Sequence, residues 1–236
     1  MRQTAIIAGV GPGSGAALVR RFVKEGCRVG MFARSADYIQ QLERELGREN
    51  ALAVPIDVAD PKQVSNGFMR VREAFGPIDI LVHHASGSAW KGLFDLSPEE
   101  FEWAWRVSAY GGYLCAREAA LDMVQTGGGT ILFTGATSSI RGRGGALDFS
   151  SAKFAVRGLA QSLAVELWPK GIHVAHIIVD GVIDTPRVRE RFAPGPDEPL
   201  IDPEAMAESY WMLVKQPKSA WSWELDLRPM KEAFFV

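Results

Sequence analysis

Short apolar runs alternate with longer amphipathic stretches along the whole chain. The runs are continuous rather than polar at every second position, which is typical of parallel strands buried on both faces. We expect strands at 4–9, 28–33, 51–56, 78–83, 130–135, 173–179 and 221–227. Helical patterns lie between them at 14–25, 36–47, 62–75, 98–125, 150–168 and 203–215. This order predicts an α/β fold with right-handed crossovers: a doubly wound parallel sheet of about seven strands with helices on both faces.

Composition and charge restrict the class of partner. Of the 236 residues, 47% are hydrophobic and 23% are charged, and the net charge of −2 gives no electrostatic footprint for nucleic acid or an anionic membrane. The first residues, MRQTAIIAGV, contain too short an apolar stretch for a signal peptide, and no apolar run is long enough for a membrane span. Cys27 and Cys115 are not in metal-ligand spacing. We expect a cytoplasmic protein of one domain, residues 1–236, that acts on a small molecule without a metal.

A glycine-rich segment, AGVGPGSGAAL, follows the first predicted strand and opens the first predicted helix. Glycines allow a tight turn and close approach of a ligand, and the helix N-terminus offers unpaired N–H groups to a pyrophosphate. In this strand-to-helix context the segment predicts the dinucleotide site of a Rossmann fold, rather than a merely structural turn. The residues of the predicted loop are Gly9, Gly11, Pro12, Gly13, Ser14 and Gly15.

The end of the second predicted strand bears on the choice of nucleotide. A site for NAD often places an acidic residue there, on the ribose hydroxyl. This chain has Ala33-Arg34-Ser35 instead. A guanidinium binds a phosphate well, so Arg34 favours NADP over NAD. The alternative is that Arg34 is a solvated residue at the start of a helix.

Three further motifs contribute to the likeness of the chain to a known family. Asp57-Val58 follows the third predicted strand, His83-His84-Ala85-Ser86 ends the fourth, and VDGVIDTP covers 179–186. With Lys153 and the glycine loop, nearly the whole chain resembles the short-chain dehydrogenases/reductases, although Ala8 and Asp180 replace a threonine and a proline of that pattern. Outside the glycine loop, the cofactor contacts that the resemblance implies are Arg34, Asp57, Val58, His84, Ala85, Ser86, Lys153, Gly181, Val182, Ile183 and Thr185.

The resemblance also implies a catalytic tetrad of Asn, Ser, Tyr and Lys, and here the chain departs from the family. With Lys153 as the anchor, the positions hold Ser108, Ala136, Phe149 and Lys153. Phenylalanine cannot exchange a proton, and loss of a positioned general acid costs about 10²–10⁴-fold in rate. A one-residue shift of the loop after the fifth strand would bring Thr137 or Ser138 toward the substrate, where a hydroxyl can polarise a carbonyl.

Other polar residues near the predicted site have two interpretations. An imidazole at His84 can titrate in a useful pH range, but a structural histidine is the favoured interpretation. Asp148, with Arg141 and Arg143, either selects an anionic substrate at the pocket mouth or belongs to a solvated loop. The segment after Thr185 is where the family has a lid over the substrate.

Two hypotheses from different classes follow from these residues. The first is an NADP-dependent oxidoreductase that transfers hydride between NADP(H) and a small carbonyl or alcohol by a non-standard proton path. The second is a catalytically inactive NAD(P)-binding sensor, scaffold or partner subunit. The family resemblance further implies a homodimer or homotetramer, and a strand predicted at a sheet edge, 221–227, is a natural place for a two-fold partner.

Overall fold

The computed structural model describes residues 2–232. The strands are β1 (Thr4–Ala8), β2 (Arg28–Ala33), β3 (Ala51–Pro55), β4 (Ile80–His83), β5 (Gly129–Thr134), β6 (Ile172–Val179), β7 (Val182–Ile183), β8 (Leu200–Ile201) and β9 (Glu224–Leu227). The helices are α1 (Ser14–Lys24), α2 (Ala36–Leu46), α3 (Pro61–Phe75), α4 (Pro98–Trp105), α5 (Gly111–Thr126), α6 (Leu147–Leu167), α7 (Pro186–Phe192) and α8 (Pro203–Val214). All seven predicted strands have a counterpart among these elements.

Seven strands form one sheet in the order β3-β2-β1-β4-β5-β6-β9, and every pairing in it is parallel. The predicted doubly wound sheet is therefore confirmed. The chain begins in the middle, because β1 pairs with β2 on one side and with β4 on the other. This change of direction opens a crevice at the carboxyl ends of the strands, which is where ligands bind in such sheets. The last strand, β9, lies at the edge as predicted.

Side chains along each strand alternate between two hydrophobic layers. In β1, Ala5 and Ile7 pack in one layer and Ile6 and Ala8 in the other, because successive strand residues point to opposite faces. Helices α1, α2 and α8 supply the first layer, and α3, α5 and α6 supply the second. All four of these side chains are fully buried. Burial on both faces explains why the predicted strands read as continuous apolar runs.

The single helix predicted over 98–125 is instead two helices joined by a π-helical turn. Its start agrees with the sequence: Ser97 and Glu100 form a capping box, with Pro98 in the first turn. The turn, Arg106–Tyr110, widens the backbone between α4 and α5. Within it, Ser108 directs both its carbonyl and its hydroxyl toward the end of β4. The interruption therefore coincides with contacts to a distant part of the sequence, and π turns inserted in helices often mark functional sites.

A small two-stranded sheet brackets the segment predicted as a lid. Strands β7 and β8 pair in parallel, and α7 lies between them in the sequence. Thr185 caps α7 by accepting a hydrogen bond from the Val188 N–H at 3.3 Å. Across the described part of the chain, no helix combines the length and apolarity that a membrane span requires.

Candidate active site

The glycine loop between β1 and α1 packs where the crevice opens. Gly9 and Gly13 have φ angles of 102° and 120°, a region that side chains disfavour. A methyl group on Gly9 would lie 2.5 Å from the Ala85 nitrogen, and one on Gly13 would lie 2.6 Å from the Thr185 methyl group. Gly11, in contrast, faces open space. Glycine at 9 and 13 thus lets the loop contact the segments after β4 and β6, while its tip stays open for a ligand.

His84, at the end of β4, joins the glycine loop to the neighbouring strand. Its Nε2 lies 2.8 Å from the Ser14 hydroxyl, and its Nδ1 lies 2.9 Å from the Thr134 hydroxyl. Thr134 in turn lies 2.8 Å from the hydroxyl of Tyr210, which is fully buried on α8. Burial, with a smaller contribution from the Lys153 charge, lowers the pKa of His84 to about 3. The expectation that His84 titrates in a useful pH range is therefore wrong, because the imidazole stays neutral.

His83 faces the opposite side of the sheet and holds the π turn. Its Nε2 donates to the Ser108 carbonyl at 2.9 Å, and the Gly87 N–H donates to the Ser108 hydroxyl at 3.1 Å. Ser108 is fully buried. Burial also lowers the pKa of His83 to about 4. Ser108 thus uses both oxygens to anchor the segment after β4.

Lys153 lies buried at the carboxyl end of β5. Its Nζ donates to the Thr134 carbonyl at 2.8 Å and sits 5.5 Å from the centre of the Phe149 ring. Only 4% of the residue is exposed, and this burial lowers the pKa of its ammonium to about 8. An ammonium this acidic exchanges its proton more readily near neutral pH than an ordinary lysine does.

The loop after β5 carries Ala136 and Ser138. The Ala136 N–H donates to the Ser139 hydroxyl at 3.0 Å, and Ser138 is buried in the short turn that follows. Thr137 donates its hydroxyl hydrogen to the buried carboxylate of Asp180, which also forms an ion pair with Arg228 at 3.1 Å. The Thr137 proton is therefore already engaged with a carboxylate.

An aromatic pair stands beside Lys153. The Trp90 and Phe149 rings lie 4.7 Å apart between centroids, and Trp90 takes a left-handed φ of 57°. Asp148, only 1% exposed, holds this loop because its Oδ2 accepts the Ala89 N–H at 2.5 Å. The alternative that Asp148 belongs to a solvated loop is wrong. Arg143 is exposed beyond it.

The remaining predicted cofactor residues all follow strands on the same edge of the sheet. Arg34, after β2, is exposed, with its guanidinium 5.3 Å from the Trp103 ring centre. Asp57, after β3, accepts the Ala59 N–H at 2.9 Å, and Val58 is buried. Ala85 and Ser86 follow β4, and Gly181, Val182, Ile183 and Thr185 follow β6. The predicted residues thus all lie at the carboxyl edge of the sheet.

Comparison with known proteins identifies the family. A family model described as short chain dehydrogenase matches residues 3–194. The chain belongs to the short-chain dehydrogenase family. A 3alpha-hydroxysteroid dehydrogenase of Mediterraneibacter gnavus is 32% identical over 190 residues, which cover 79% of this chain and 76% of that protein.

Solved structures of the family have the same architecture. A short-chain dehydrogenase from Rhodopseudomonas palustris matches with a TM-score of 0.83 and 31% identity, over 96% of this chain and 98% of that chain. The alcohol dehydrogenase of the archaeon Thermococcus sibiricus, complexed with 5-hydroxy-NADP, matches with a TM-score of 0.86 and 25% identity over 99% of both chains. The resemblance read from the motifs is therefore confirmed at the level of family and fold.

Sequence reasoning did not single out Thr134, Tyr210 or Trp90 in this family member. Tyr210 reaches His84 through Thr134 across 76 residues of sequence, and neither residue lies in a motif. Trp90 follows the His-His-Ala-Ser segment, but its contact with Phe149 depends on a backbone turn that no local pattern announces. Within residues 2–232, no cluster of three or more His, Cys, Asp or Glu side chains is arranged to hold a metal ion.

Proposed function

We propose that this protein is an NADP(H)-dependent oxidoreductase that transfers hydride between the nicotinamide and a small carbonyl or alcohol substrate. The observation that carries the proposal is the position of Lys153, which is buried on the Thr134 carbonyl at the crevice edge formed by the glycine loop. A lysine is rarely buried without a functional or structural partner. Its lowered pKa also supports a functional site, because titratable groups with shifted pKa values cluster at such sites.

The residues of the crevice fit a dinucleotide. The glycine loop contacts the backbone after β4 at Gly9, yet leaves open space at Gly11. The N-terminus of α1 carries no acidic residue in its first turn and no side-chain cap, so its N–H groups are available for a pyrophosphate. Exposed Arg34 supports a 2′-phosphate, and the Thermococcus sibiricus relative bound to 5-hydroxy-NADP is consistent with that preference.

The proton path differs from that of the family because Phe149 has no hydroxyl. When bound, a reduced nicotinamide would supply hydride chemistry at a carbonyl carbon, and this chain would have to supply one proton to the carbonyl oxygen. Lys153 has three N–H donors, of which one goes to Thr134. We assign the proton to the Lys153 ammonium, because burial lowers its pKa to about 8. Ser108 and Ser138 lie in the same region but are poor acids.

The aromatic pair suits a substrate with an apolar face. Trp90 is 46% exposed although it packs on Phe149, so one part of the indole remains available for stacking. The strained φ of Trp90 is of the kind that persists at ligand sites. An apolar carbonyl compound is therefore favoured over an anionic one, which the buried Asp148 carboxylate beside this pair would repel.

The protein is also proposed to form a homodimer or homotetramer. Large apolar side chains are exposed on α5 and α6, including Tyr113, Leu121 and Phe154. Strand β9 lies at the edge of the sheet, and within residues 2–232 its one partner is β6. Light scattering of the purified protein tests this proposal. A monomer at micromolar concentration would refute it.

The first experiment is calorimetric titration with NADPH and with NADH. We expect tighter binding of NADPH, and we expect Arg34→Ala to remove most of the preference. Arg48→Ala is the matched control, since Arg48 is also exposed but precedes β3 and so lies at the opposite edge of the sheet. If neither nucleotide binds, the proposal fails.

The second experiment measures oxidation of NADPH with small aldehydes and ketones. Phe149→Tyr combined with Ala136→Ser restores the family's Tyr and Ser, and the rate should rise by up to about 10²–10⁴-fold. Lys153→Met should abolish turnover at saturating NADPH, whereas Lys62→Met, an exposed lysine, should not. If the wild type and the double variant both bind NADPH but neither shows turnover, the non-catalytic alternative is favoured. The specific observation behind that alternative is that Phe149 has no hydroxyl.

A further inference from the structure

We propose that His84 is a positioning residue that fixes the direction of a buried hydrogen-bond chain, and that this chain leaves the Ser14 hydroxyl free to donate to the pyrophosphate of a dinucleotide. The chain runs from Tyr210 through Thr134 and His84 to Ser14, with successive distances of 2.8, 2.9 and 2.8 Å. This inference rests on the proposed function, because it concerns the ligand of the same crevice.

The direction of the chain follows from the burial of its far end. Tyr210 is fully buried, and Thr134 is the one partner of its hydroxyl among the described residues. A buried hydroxyl hydrogen without an acceptor costs about 1–3 kcal/mol, so Tyr210 must donate to Thr134. Thr134 has a single hydroxyl hydrogen, and its remaining neighbour is Nδ1 of His84. Thr134 therefore donates to that nitrogen.

The tautomer of His84 is then determined. Nδ1 accepts from Thr134 and carries no hydrogen, so in the neutral ring the hydrogen is on Nε2. Nε2 donates to Ser14 at 2.8 Å. The two other arrangements would protonate Nδ1 and strand the hydroxyl hydrogen of either Tyr210 or Thr134 inside the protein. Only the stated direction moves the unpaired hydrogen to Ser14, at the start of α1.

Ser14 is the first residue of α1, and its hydroxyl is engaged only as an acceptor from His84. Its own hydrogen has no acceptor among the described residues, so it is available to a ligand. A hydroxyl at a helix N-terminus suits an anionic phosphate oxygen, because the helix dipole favours negative charge at the same place. The hydrogen-bond chain cannot conduct protons, because its far end, the Tyr210 hydroxyl, has no access to solvent.

The tautomer can be read directly by NMR of protein labelled with ¹⁵N-histidine. The protein has four histidines. The signal that is lost in His84→Asn is that of His84. We expect His84 to show a protonated Nε2 and an unprotonated Nδ1 between pH 5 and 8. His176 is an internal reference of opposite tautomer, because its Nδ1 is the nitrogen that faces the Glu224 carboxylate at 3.1 Å. A protonated Nδ1 on His84 would overturn the proposal.

Substitutions within the chain separate orientation from packing. Thr134→Ser keeps the hydroxyl and should retain the tautomer, whereas Thr134→Val and Tyr210→Phe should give a mixture of both tautomers. In calorimetry, Ser14→Ala should weaken NADPH binding by roughly tenfold to a hundredfold, the effect of one hydrogen bond to a charged group.

The outcomes distinguish this inference from the proposed function. If the wild type binds NADPH and Ser14→Ala binds it equally well, the assignment of Ser14 is refuted while the dinucleotide site stands. If the wild type binds neither NADPH nor NADH, both proposals fail. Retention of a single His84 tautomer in Thr134→Val would show that the hydroxyl chain does not set the ring, which also refutes the inference.

Discussion

Replacing Lys153 with methionine should reverse the order of stability between variant and wild type as the pH rises. Burial lowers the pKa of the ammonium from 10.5 to about 8, and each pKa unit is worth about 1.4 kcal/mol. The charged lysine therefore costs the folded state about 3 kcal/mol at pH 7. Methionine removes that cost but also removes the hydrogen bond to the Thr134 carbonyl, which costs about 1–3 kcal/mol.

The pH window follows from the two pKa values. Between pH 8 and 10.5 the unfolded chain binds a proton on Lys153 that the folded chain has released, so the stability of the wild type rises with pH across that window. Below pH 8 both states are protonated and the full cost remains. The variant lacks this titration. We therefore expect Lys153→Met to be as stable as the wild type, or up to about 2 kcal/mol more stable, at pH 7, and about 1–3 kcal/mol less stable above pH 10.5.

Urea unfolding followed by circular dichroism between pH 7 and 10.5 measures both free energies. The quantity of interest is the difference between wild type and variant, because all other titrating groups are common to both proteins. Lys62→Met, at an exposed position on α3, should show no such pH dependence. A difference that stays constant with pH would refute the assignment of a buried, depressed ammonium to Lys153.

Three further predictions concern the crevice. Gly13→Ala places a methyl group 2.6 Å from Thr185 at a φ of 120° and should destabilise the protein by about 1–3 kcal/mol in urea unfolding, whereas Gly11→Ala, which faces open space, should change it little. Asp148→Ala removes the acceptor of the Ala89 N–H, so it should lower the free energy of unfolding by about 1–3 kcal/mol and change the fluorescence of Trp90. Unchanged stability and emission would show that other contacts hold the loop. If Lys153 donates the proton, carbonyl reduction should fall as the pH rises through about 8 and alcohol oxidation should rise, and flat pH–rate profiles would exclude that role.

The sequence predicts the sheet well because parallel strands buried on both faces cannot avoid an apolar run. The β1 segment around Ile6 and Ile7 has that pattern, and both side chains are fully buried. The split of the helix predicted over 98–125 escapes such reasoning, since the π turn depends on contacts of Ser108 with His83 and Gly87 rather than on local propensity. The pattern of apolar residues predicts which segments are buried. It does not predict which hydrogen-bond partners a residue meets on a segment that is distant in the sequence.

The same distinction applies to the site. The glycine loop and Lys153 could be predicted from the sequence because they belong to motifs that restrict residue type and spacing. Tyr210 could not, because the fold alone brings its hydroxyl to Thr134. The burial of Asp148 could not be predicted either. An acidic residue in a glycine-rich stretch is normally solvated, and only the fold brings the Ala89 N–H to this carboxylate.

Thr134 contacts the two halves of the crevice with different atoms. Its main-chain carbonyl holds Lys153, while its side-chain hydroxyl belongs to the His84 chain. Every amino acid has the same main-chain carbonyl, so a substitution of Thr134 keeps the acceptor of Lys153. It changes only the side-chain group that contacts His84. Mutation of the Thr134 side chain can therefore change the contacts of His84 and the glycine loop, while the main-chain acceptor of Lys153 is kept.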